Sequence, residues 1–473
     1  MSLIPFHIQN QNLQDRRVTV LGLGRFGGGI AVTRFLADQG AQITVLDDLS
    51  ASELEQSLQQ LADIQGIRYF LGEKTQELPA TDLLVLNPAI PPQHPLLTQA
   101  EREQIPVTSE IELFWQLNSA PIVGVTGSNG KSTTTAMIHS VFSESGYTCW
   151  LGGNIGVSLL PHVEQIQSTD WVILELSSFQ LHSLDRLQVS PQLAVVTNFS
   201  ANHLDWHQSL AHYRHAKQTI SRWQTADETT IINGDDPDLK NWDFPGNVLR
   251  FGSDAALKPA VLVQEQGFHV DQLEGLFQPL IPVPGWHNRL NAATAITAGL
   301  CVDLDPAIIQ RGLERFQGLP HRLQFIGEHA GRRFYNDSLA TTPESAICAL
   351  EAFESGKIIA LAGGYDKQVD LTPFSRELLS RTKATALMGD TGVKLAGLMS
   401  SLRVEAQSFA TSVISEPQDS FENAFDWAWQ QSAPGDVILL SPGCASYGWF
   451  ANFQERGARF EKLFQNLANA ANT

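Results

Sequence analysis

The chain has 473 residues, with 31 Lys and Arg against 50 Asp and Glu and a formal charge of −19. An apolar share of 43% with 17% charged residues excludes wholesale disorder. The acidic balance argues against general binding to nucleic acid or an anionic membrane, whose phosphates repel it. At roughly 150 residues per domain the length predicts about three domains. Cys149, Cys301, Cys348 and Cys444 lie far apart and form no C-x-x-C pair, so neither a zinc cluster nor a disulfide framework is signalled. A reduced, cytoplasmic setting is expected. Residues 1–12 lack the basic start and apolar core of a secretory leader. No apolar run approaches the roughly 18 residues of a membrane span.

In chain order, apolar runs and helical spacing alternate as β-α-β-α nearly throughout, which predicts α/β layers with parallel sheets. The first series has strands over 17–21, 43–46 and 83–86 and a helix over 30–39. Pro-rich residues 87–95 read as a loop. Leu117-Asn-Ser-Ala-Pro121 breaks the pattern and sets a first boundary. A second series runs from Ile122 through strands over 171–176 and 193–197, and Gly318-Leu-Pro320 sets a second boundary. Strands over 333–335, 358–361, 384–388 and 437–440 form a third series. The expected domains are therefore 1–117, 118–318 and 319–473.

Five constellations could carry chemistry. Gly22-Leu-Gly24-Arg-Phe-Gly27 follows a strand, opens a helix and is followed by Asp47, which meets the Rossmann fingerprint. That pattern leaves a nicotinamide cofactor, a nucleotide sugar or a ligand-free turn open. The second is more specific. In Ile122-Val-Gly-Val-Thr-Gly127-Ser-Asn-Gly130-Lys131-Ser132-Thr133, a strand runs through a glycine loop into a helix. Such a loop turns N–H groups around phosphates, Lys131 neutralises the outer ones, and Ser132 or Thr133 can hold Mg²⁺. It is a variant phosphate loop, because Val125 stands where the strict pattern has its first glycine. Third, Glu175 ends a strand of the buried type. His203 follows another in Asn198-Phe-Ser-Ala-Asn202-His203, and Lys217 sits on a helix in Tyr213-Arg-His-Ala-Lys217. Glu175 and His203 are candidate Mg²⁺ ligands, whereas Lys217 alone reads as a solvated helix lysine. Fourth, Asn288 and Asn291, three apart, share one helical face. Fifth, Asn336-Asp337-Ser338-Leu-Ala-Thr341, Gly363-Gly-Tyr-Asp366-Lys367 and Ser441-Pro-Gly-Cys-Ala-Ser446 each follow a strand. Thr341, Lys367 and Ser446 would make a donor-rich site for a small carboxylate.

Taken together, and in this order along the whole chain, these residues resemble the Mur ligases, ATP-dependent amide-forming enzymes of peptidoglycan synthesis. The phosphate loop, Leu174-Glu-Leu-Ser-Ser-Phe-Gln-Leu181, His287-Asn-Arg-Leu-Asn291, Leu319-Pro-His-Arg322 and Asn336-Asp-Ser carry the resemblance. Ser109-Glu-Ile-Glu-Leu-Phe114, Gly363-Gly-Tyr-Asp-Lys367 and Phe453-Gln-Glu-Arg-Gly457 favour the branch that adds D-glutamate to UDP-N-acetylmuramoyl-L-alanine through an acyl phosphate. The resemblance implies a Rossmann-like first domain, a central ATP-binding domain and a Rossmann-like third domain. It implies ATP contacts at Gly127, Ser128, Asn129, Gly130, Lys131, Ser132, Thr133, Asn288, Asn291, Arg322 and Asp337. The UDP-sugar would lie on Arg25, Phe26, Asp47, Asn87, Pro88, Ala89, Ile90, Asn154 and Ser177, and D-glutamate on Thr341, Lys367, Ser446 and Phe453. Mg²⁺ would be held by Ser132, Glu175, His203 and Lys217, the last carbamylated by CO₂. A cytoplasmic monomer with hinge motion near Gly318 to His321 is expected.

Two positions depart from the family pattern: Asn202 stands where Asp is common, and Leu339 where Lys is common. The competing readings are a folylpolyglutamate-type or other Mur-type ligase, a nicotinamide-dependent oxidoreductase and a nucleotide-binding regulator without chemistry. The second leaves the phosphate loop unexplained, and Lys131, Glu175, His203 and Lys217 together weigh against the third.

Overall fold

A computed structural model describes residues 3–470 apart from Asn10, Phe26, Glu73, Lys74, Gln272 and 406–411. Phe26, one of the expected UDP-sugar contacts, therefore lies outside the described residues. Three sheets organise the chain. The first has strands Arg17–Leu21 (β1), Gln42–Asp47 (β2), Arg68–Leu71 (β3), Leu83–Leu86 (β4) and Val107–Ser109 (β5), all parallel in the order β3-β2-β1-β4-β5. Apolar runs such as Leu83-Leu-Val-Leu86 are buried on both faces because helices cover both sides of the sheet. Gly29 shows how closely they pack: a Cβ there would sit 2.0 Å from the Leu23 carbonyl oxygen, so only glycine lets the helix Gly28–Asp38 approach the strand end.

The second sheet contains Ile122–Thr126 (β6), Cys149–Gly153 (β7), Trp171–Glu175 (β8), Leu193–Val196 (β9), Thr229–Asn233 (β10), Asn247–Gly252 (β11), Val261–Val263 (β12), Phe268–Val270 (β13) and Leu276–Phe277 (β14). Its order is β14-β13-β12-β11-β10-β9-β6-β8-β7. The last three strands in sequence pair antiparallel, a departure from the all-parallel expectation. They are two or three residues long, too short for a period of two to register as a sequence pattern. The third sheet runs β15-β16-β20-β17-β18-β19, from Gln324–His329 (β15), Arg332–Asn336 (β16), Ile358–Gly363 (β17), Thr382–Met388 (β18), Val413–Ile414 (β19) and Val437–Leu440 (β20). Only the β15–β16 pair is antiparallel among its described pairings.

The chain forms two compact units. The first two sheets share one, Met1–Pro279 with Leu290–Leu313; the third sheet belongs to the other, Leu280–Arg289 with Glu314–Thr473. Leu280–Arg289 and Glu314 to Gly318, assigned from sequence to the ATP-binding stretch, thus cluster with the third sheet. Among the described residues no helix is long and apolar enough to cross a membrane.

In the first unit, the helix Glu110–Leu117 after β5 carries two carboxylates, Glu110 half-buried and Glu112 buried. Glu110 accepts from the Ser158 hydroxyl. Glu112, fully buried, takes a two-pronged bond from Arg186, with Nε at 3.2 Å and Nη2 at 2.7 Å, and a third from Ser109 Oγ at 2.6 Å. Arg186 stands on the helix Ser178–Leu187, which follows β8, so this ion pair ties the first sheet's last helix to the second sheet. Removing one partner strands a charge away from water, a loss of about 3–5 kcal/mol. Arg186→Met is expected to lower the denaturation free energy by about that amount, and Glu112→Leu added to it should restore much of the loss. Urea unfolding of the two variants measures both.

Candidate functional site

In the first sheet the strand order reverses between β1 and β4, which opens a crevice at their C-terminal ends. The Gly22–Gly27 turn and the loop after β4 meet there. Asn87 lies over the glycines, its Nδ2 2.9 Å from where a Cβ on Gly24 would be. Asp47 accepts from the Gly24 N–H at 2.9 Å and, through its other oxygen, from the Leu49 N–H at 2.9 Å. Asp47 therefore shapes the turn itself. Arg25 is paired with Glu53 at the surface.

The second sheet builds the more concentrated site. Its loops after β6, β8 and β9 rise from adjacent strands. Gly130, at φ 79°, is the left-handed residue that starts the helix Lys131–Glu144, and a Cβ there would meet Asn291 Oδ1 at 2.9 Å. Asn291 also accepts from Thr134 Oγ1. The loop is braced from β9. Asn198 accepts the Asn129 N–H at 2.8 Å and donates back to the Asn129 carbonyl at 3.0 Å. Its own carbonyl takes the Ser128 N–H at 3.0 Å. The Ser128 and Asn129 amides, expected from sequence to face phosphate, are thus committed to Asn198. The amides at the start of the helix, around Gly130 to Thr133, remain the natural anion site, because first-turn N–H groups have no intrahelical acceptor. Lys131 Nζ lies 3.1 Å from the carbonyls of both Gly127 and Ser128.

Behind this loop sit two buried ionisable groups. Glu175 is 2% exposed; Asn154 donates to its Oε1 at 2.7 Å, and Oε2 is buried with no hydrogen-bond partner. Asn154, expected to touch the UDP-sugar, is therefore also the residue that orients Glu175. Lys217 is 1% exposed, donating to the Gly127 carbonyl at 2.7 Å and to Thr126 Oγ1 at 3.2 Å, with Tyr213's ring 4.9 Å away. Burial pushes its ammonium well below the ordinary lysine value, the charge of Lys131 adds to this, and Glu175 opposes it. The solvated-lysine reading from sequence is thereby corrected: the helix Leu210–Arg222 turns Lys217 inward, which a single polar residue at that spacing does not reveal.

His203 is exposed, in a left-handed conformation at φ 52°, with its ring 5.0 Å from that of Phe179. Desolvation and then the charges of Lys131 and Lys217 hold it below the ordinary imidazole value, which favours the neutral, lone-pair-bearing ring. Ser177 is buried and caps the helix Ser178–Leu187 in a reciprocal box with Gln180. Among the described residues no group of three or more His, Cys, Asp or Glu side chains is arranged to hold a metal. The orphaned Glu175 Oε2 is nevertheless the atom a divalent cation would satisfy. Missed from sequence were Thr197 and Asn198, whose spacing before His203 was visible but whose contacts with Asn129 were not.

In the second unit the loops after β16, β20 and β17 converge, since β20 lies between the other two. Asp337 accepts from Ser441 Oγ at 2.7 Å and from the Leu323 N–H at 3.1 Å. Arg456, 1% exposed, was missed because burial leaves no mark in sequence. Its guanidinium reaches Ser338 Oγ and carbonyl at 3.0 and 2.9 Å and the Cys444 carbonyl at 3.1 Å, binding two of the loops together. A narrow cleft of about 20 Å³ lies between Gly363, Gly364, Gly389, Asp390, Ser446 and Arg456. Thr341 is half-buried, Lys367 exposed, and the ring of Phe453 lies 6.1 Å from that of His321. Arg322 belongs to the tight turn closed by its N–H on the Leu319 carbonyl. Asn288, in the Leu280–Arg289 segment, donates to the Pro284 carbonyl at 2.7 Å.

Fold and site together define a multidomain α/β enzyme with a glycine loop between strand and helix. Comparison with known proteins makes this particular. Residues 16–109 match the Mur ligase MurD-like N-terminal domain, 125–299 the Mur ligase middle domain, and 321–444 the Mur ligase glutamate ligase domain. The UDP-N-acetylmuramoylalanine–D-glutamate ligase of Acetivibrio thermocellus is 36% identical over 467 residues, 97% of this chain and 98% of that one. The enzyme of the same name from Enterococcus faecalis is 36% identical over 464 residues, 96% and 97% of the two chains. Among solved structures, UDP-N-acetylmuramate-alanine ligase MurC from Thermotoga maritima shares the fold at TM-score 0.62 and 20% identity, covering 96% of this chain and 100% of that one. MurF ligase from Thermotoga maritima, solved with ADP, aligns at TM-score 0.57 and 17% identity over 98% and 99%. The chain belongs to the Mur ligase family.

Burial pushes the Asp337 carboxyl up to about 7, against the Ser441 hydroxyl and Leu323 amide, which hold it down. Between about pH 4 and 7 the native state then keeps a proton that the unfolded chain has released. This contribution to stability is full below about pH 4 and lost as pH rises through about 7. Asp337→Asn should flatten the fall in stability over that window, leaving the parts due to Glu110, which burial also pushes up to about 7, and to Glu112, which burial raises as well. Denaturant midpoints taken from about pH 4 to 7 provide the check.

Proposed function

We propose that this chain joins D-glutamate to the alanyl carboxylate of UDP-N-acetylmuramoyl-L-alanine, with cleavage of ATP to ADP and phosphate. A carboxylate oxygen attacks the γ-phosphorus and the bond to the β–γ bridging oxygen breaks, releasing ADP and leaving an acyl phosphate. The amine of D-glutamate adds to the acyl carbon. The tetrahedral intermediate collapses with loss of phosphate and an amine proton, forming the amide. Two anions must meet in the first step, so charge neutralisation and positioning dominate catalysis.

Lys131 supplies positive charge at the outer phosphates, and the helix start at Gly130 to Thr133 receives them. Ser132, Glu175, neutral His203 and Lys217 as its carbamate would hold Mg²⁺, which would add positive charge at the γ-phosphate. The depressed lysine fits the carbamate, because only the neutral amine attacks CO₂, losing a proton as the N–C bond forms. Asn291, Asn288, Arg322 and Asp337 contact ATP. The crevice of Arg25, Asp47 and Asn87 to Ile90 takes the uridine diphosphate, with Asn154 and Ser177 toward the sugar acid. Thr341, Lys367, Ser446 and Phe453 take D-glutamate. In this reading 1–117, 118–318 and 319–473 bind the three substrates in turn, a hinge near Gly318 brings them together, and the enzyme acts as a monomer in the cytoplasm.

The observation that carries the reading is that Glu175 and Lys217 are both buried behind a braced glycine loop, Glu175 with one oxygen unsatisfied, in a chain whose relatives match it over nearly its whole length. Phosphate release in the presence of the UDP-sugar acceptor, ATP, Mg²⁺ and bicarbonate should depend on D-glutamate and be at least tenfold weaker with L-glutamate. No release with D-glutamate overturns the assignment, and equal release with both isomers overturns the stereochemical part. Lys131→Met should cut turnover on the order of a hundredfold or more. With ¹³C-bicarbonate, the native protein should give a carbamate carbon resonance that Lys217→Met lacks.

A further inference from the structure

The turn that presents His203 is a single helical turn, Leu204–His207, bounded by two left-handed non-glycine residues, His203 at φ 52° and Gln208 at φ 61°. Such a segment persists only where its surroundings hold it. Asn202, His203, Leu204 and Asp205 are exposed, and the grip comes from the next two residues. His207 is 1% exposed and hydrogen-bonds Ser178 Oγ through Nε2 at 2.9 Å. Trp206 is 9% exposed, with ring centroids 4.5 Å from His207, 4.8 Å from Phe179 and 5.4 Å from His182, and it stacks on His212 at 6.1 Å.

The indole has one polar atom, and it leaves the second sheet altogether. Trp206 Nε1 donates to the carbonyl of Ala89 at 3.2 Å. Ala89 stands in the loop after β4, where Asn87 covers the glycine turn and accepts the Ala89 N–H at 3.0 Å. One rigid side chain therefore touches the wall of the uridine-diphosphate crevice and clamps the turn that carries His203. Phe179 extends the same contact: it packs on Trp206 and on His203, and it follows Ser177 and Ser178 at the start of their helix.

We propose that Trp206 is a positioning residue that couples occupation of the crevice beside Ala89 to the placement of His203. Acceptor bound in the first sheet fixes the Ala89 carbonyl, the carbonyl fixes the indole, and the indole fixes the turn. By thermodynamic reciprocity, a metal–nucleotide complex that uses His203 tightens acceptor binding through the same contact. This rests on the functional reading above, which names the acceptor and the cation.

The test is calorimetric and needs no turnover. Binding of UDP-N-acetylmuramoyl-L-alanine to the full chain is measured with and without Mg²⁺ and a non-hydrolysable ATP analogue. In the unaltered protein the Mg²⁺–analogue pair should tighten acceptor binding by about fivefold or more. Trp206→Phe keeps an aromatic ring among Phe179, His182 and His207 and deletes the donor; it should bring that ratio close to one while leaving analogue binding by itself unchanged. A ratio in Trp206→Phe equal to that of the unaltered protein overturns the proposal. So does the absence of any such ratio in a protein that binds both ligands. Failure of the unaltered protein to bind the acceptor at all would instead overturn the functional reading, and the proposal with it. A measurement without any variant guards against misfolding: adding acceptor alone should slow amide hydrogen exchange over residues 203–208, and unchanged exchange counts against the coupling.

Discussion

A loop that grips polyphosphate through its backbone must hold its shape by bonds other than those to the ligand. Here that constraint is met by Asn198, whose amide group pairs with the N–H and carbonyl of Asn129 while its own carbonyl takes the Ser128 N–H. The arrangement commits the Ser128 and Asn129 amides to architecture. It also brings β9 into the site, so that the residues following it, through His203, are built on the same brace. The parallel pairing of β6 with β8 and β9 makes this possible, because parallel neighbours end on one edge and their loops emerge side by side.

Burial gives the groups behind the loop their chemistry. Lys217 is surrounded by Thr126, the Gly127 carbonyl and the Tyr213 ring, and desolvation and the charge of Lys131 push it well below the ordinary lysine value. Glu175 has one oxygen held by Asn154 and the other unsatisfied. A buried polar atom without a partner is costly, and such costs are tolerated where a ligand supplies the missing bond. Burial acts likewise in the second unit, where it pushes the Asp337 carboxyl up to about 7 and Arg456 directs its donors to loop carbonyls and a hydroxyl. Those two residues hold strand-end loops in place around the cleft at Ser446.

The Trp206–Ala89 contact places a further requirement on the first unit. The two sheets share buried ion pairing at Glu112 and Arg186, which joins their scaffolds, and an indole hydrogen bond nearer the chemistry, which joins their loops. The first is protected from water; the second sits at the edge of the crevice at the C-terminal ends of β1 and β4. A contact of the second kind is readily broken or made, because a single hydrogen bond contributes only about 1 kcal/mol net.

Much of this was legible in the linear chain because it rests on local patterns. Doubly buried strands read as apolar runs, and Gly130-Lys131-Ser132 at a strand–helix junction reads as a phosphate loop whatever surrounds it. The order of motifs carried the family resemblance, several of them, such as the phosphate loop and Asn336-Asp-Ser, marking strand ends. What stayed hidden depends on contacts between distant segments. Residues 69 apart pair Asn129 with Asn198, and residues 117 apart join Ala89 to Trp206. The inward turn of Lys217, the commitment of Asp47 to its own glycine turn, the burial of Arg456 and the antiparallel edge of β12 to β14 were likewise decided in three dimensions. Sequence alone determined which residues could hold phosphate, cation and carboxylate. Tertiary structure decided which of them are desolvated and which are already bonded, because both properties belong to the neighbours that folding brings, not to the residue type.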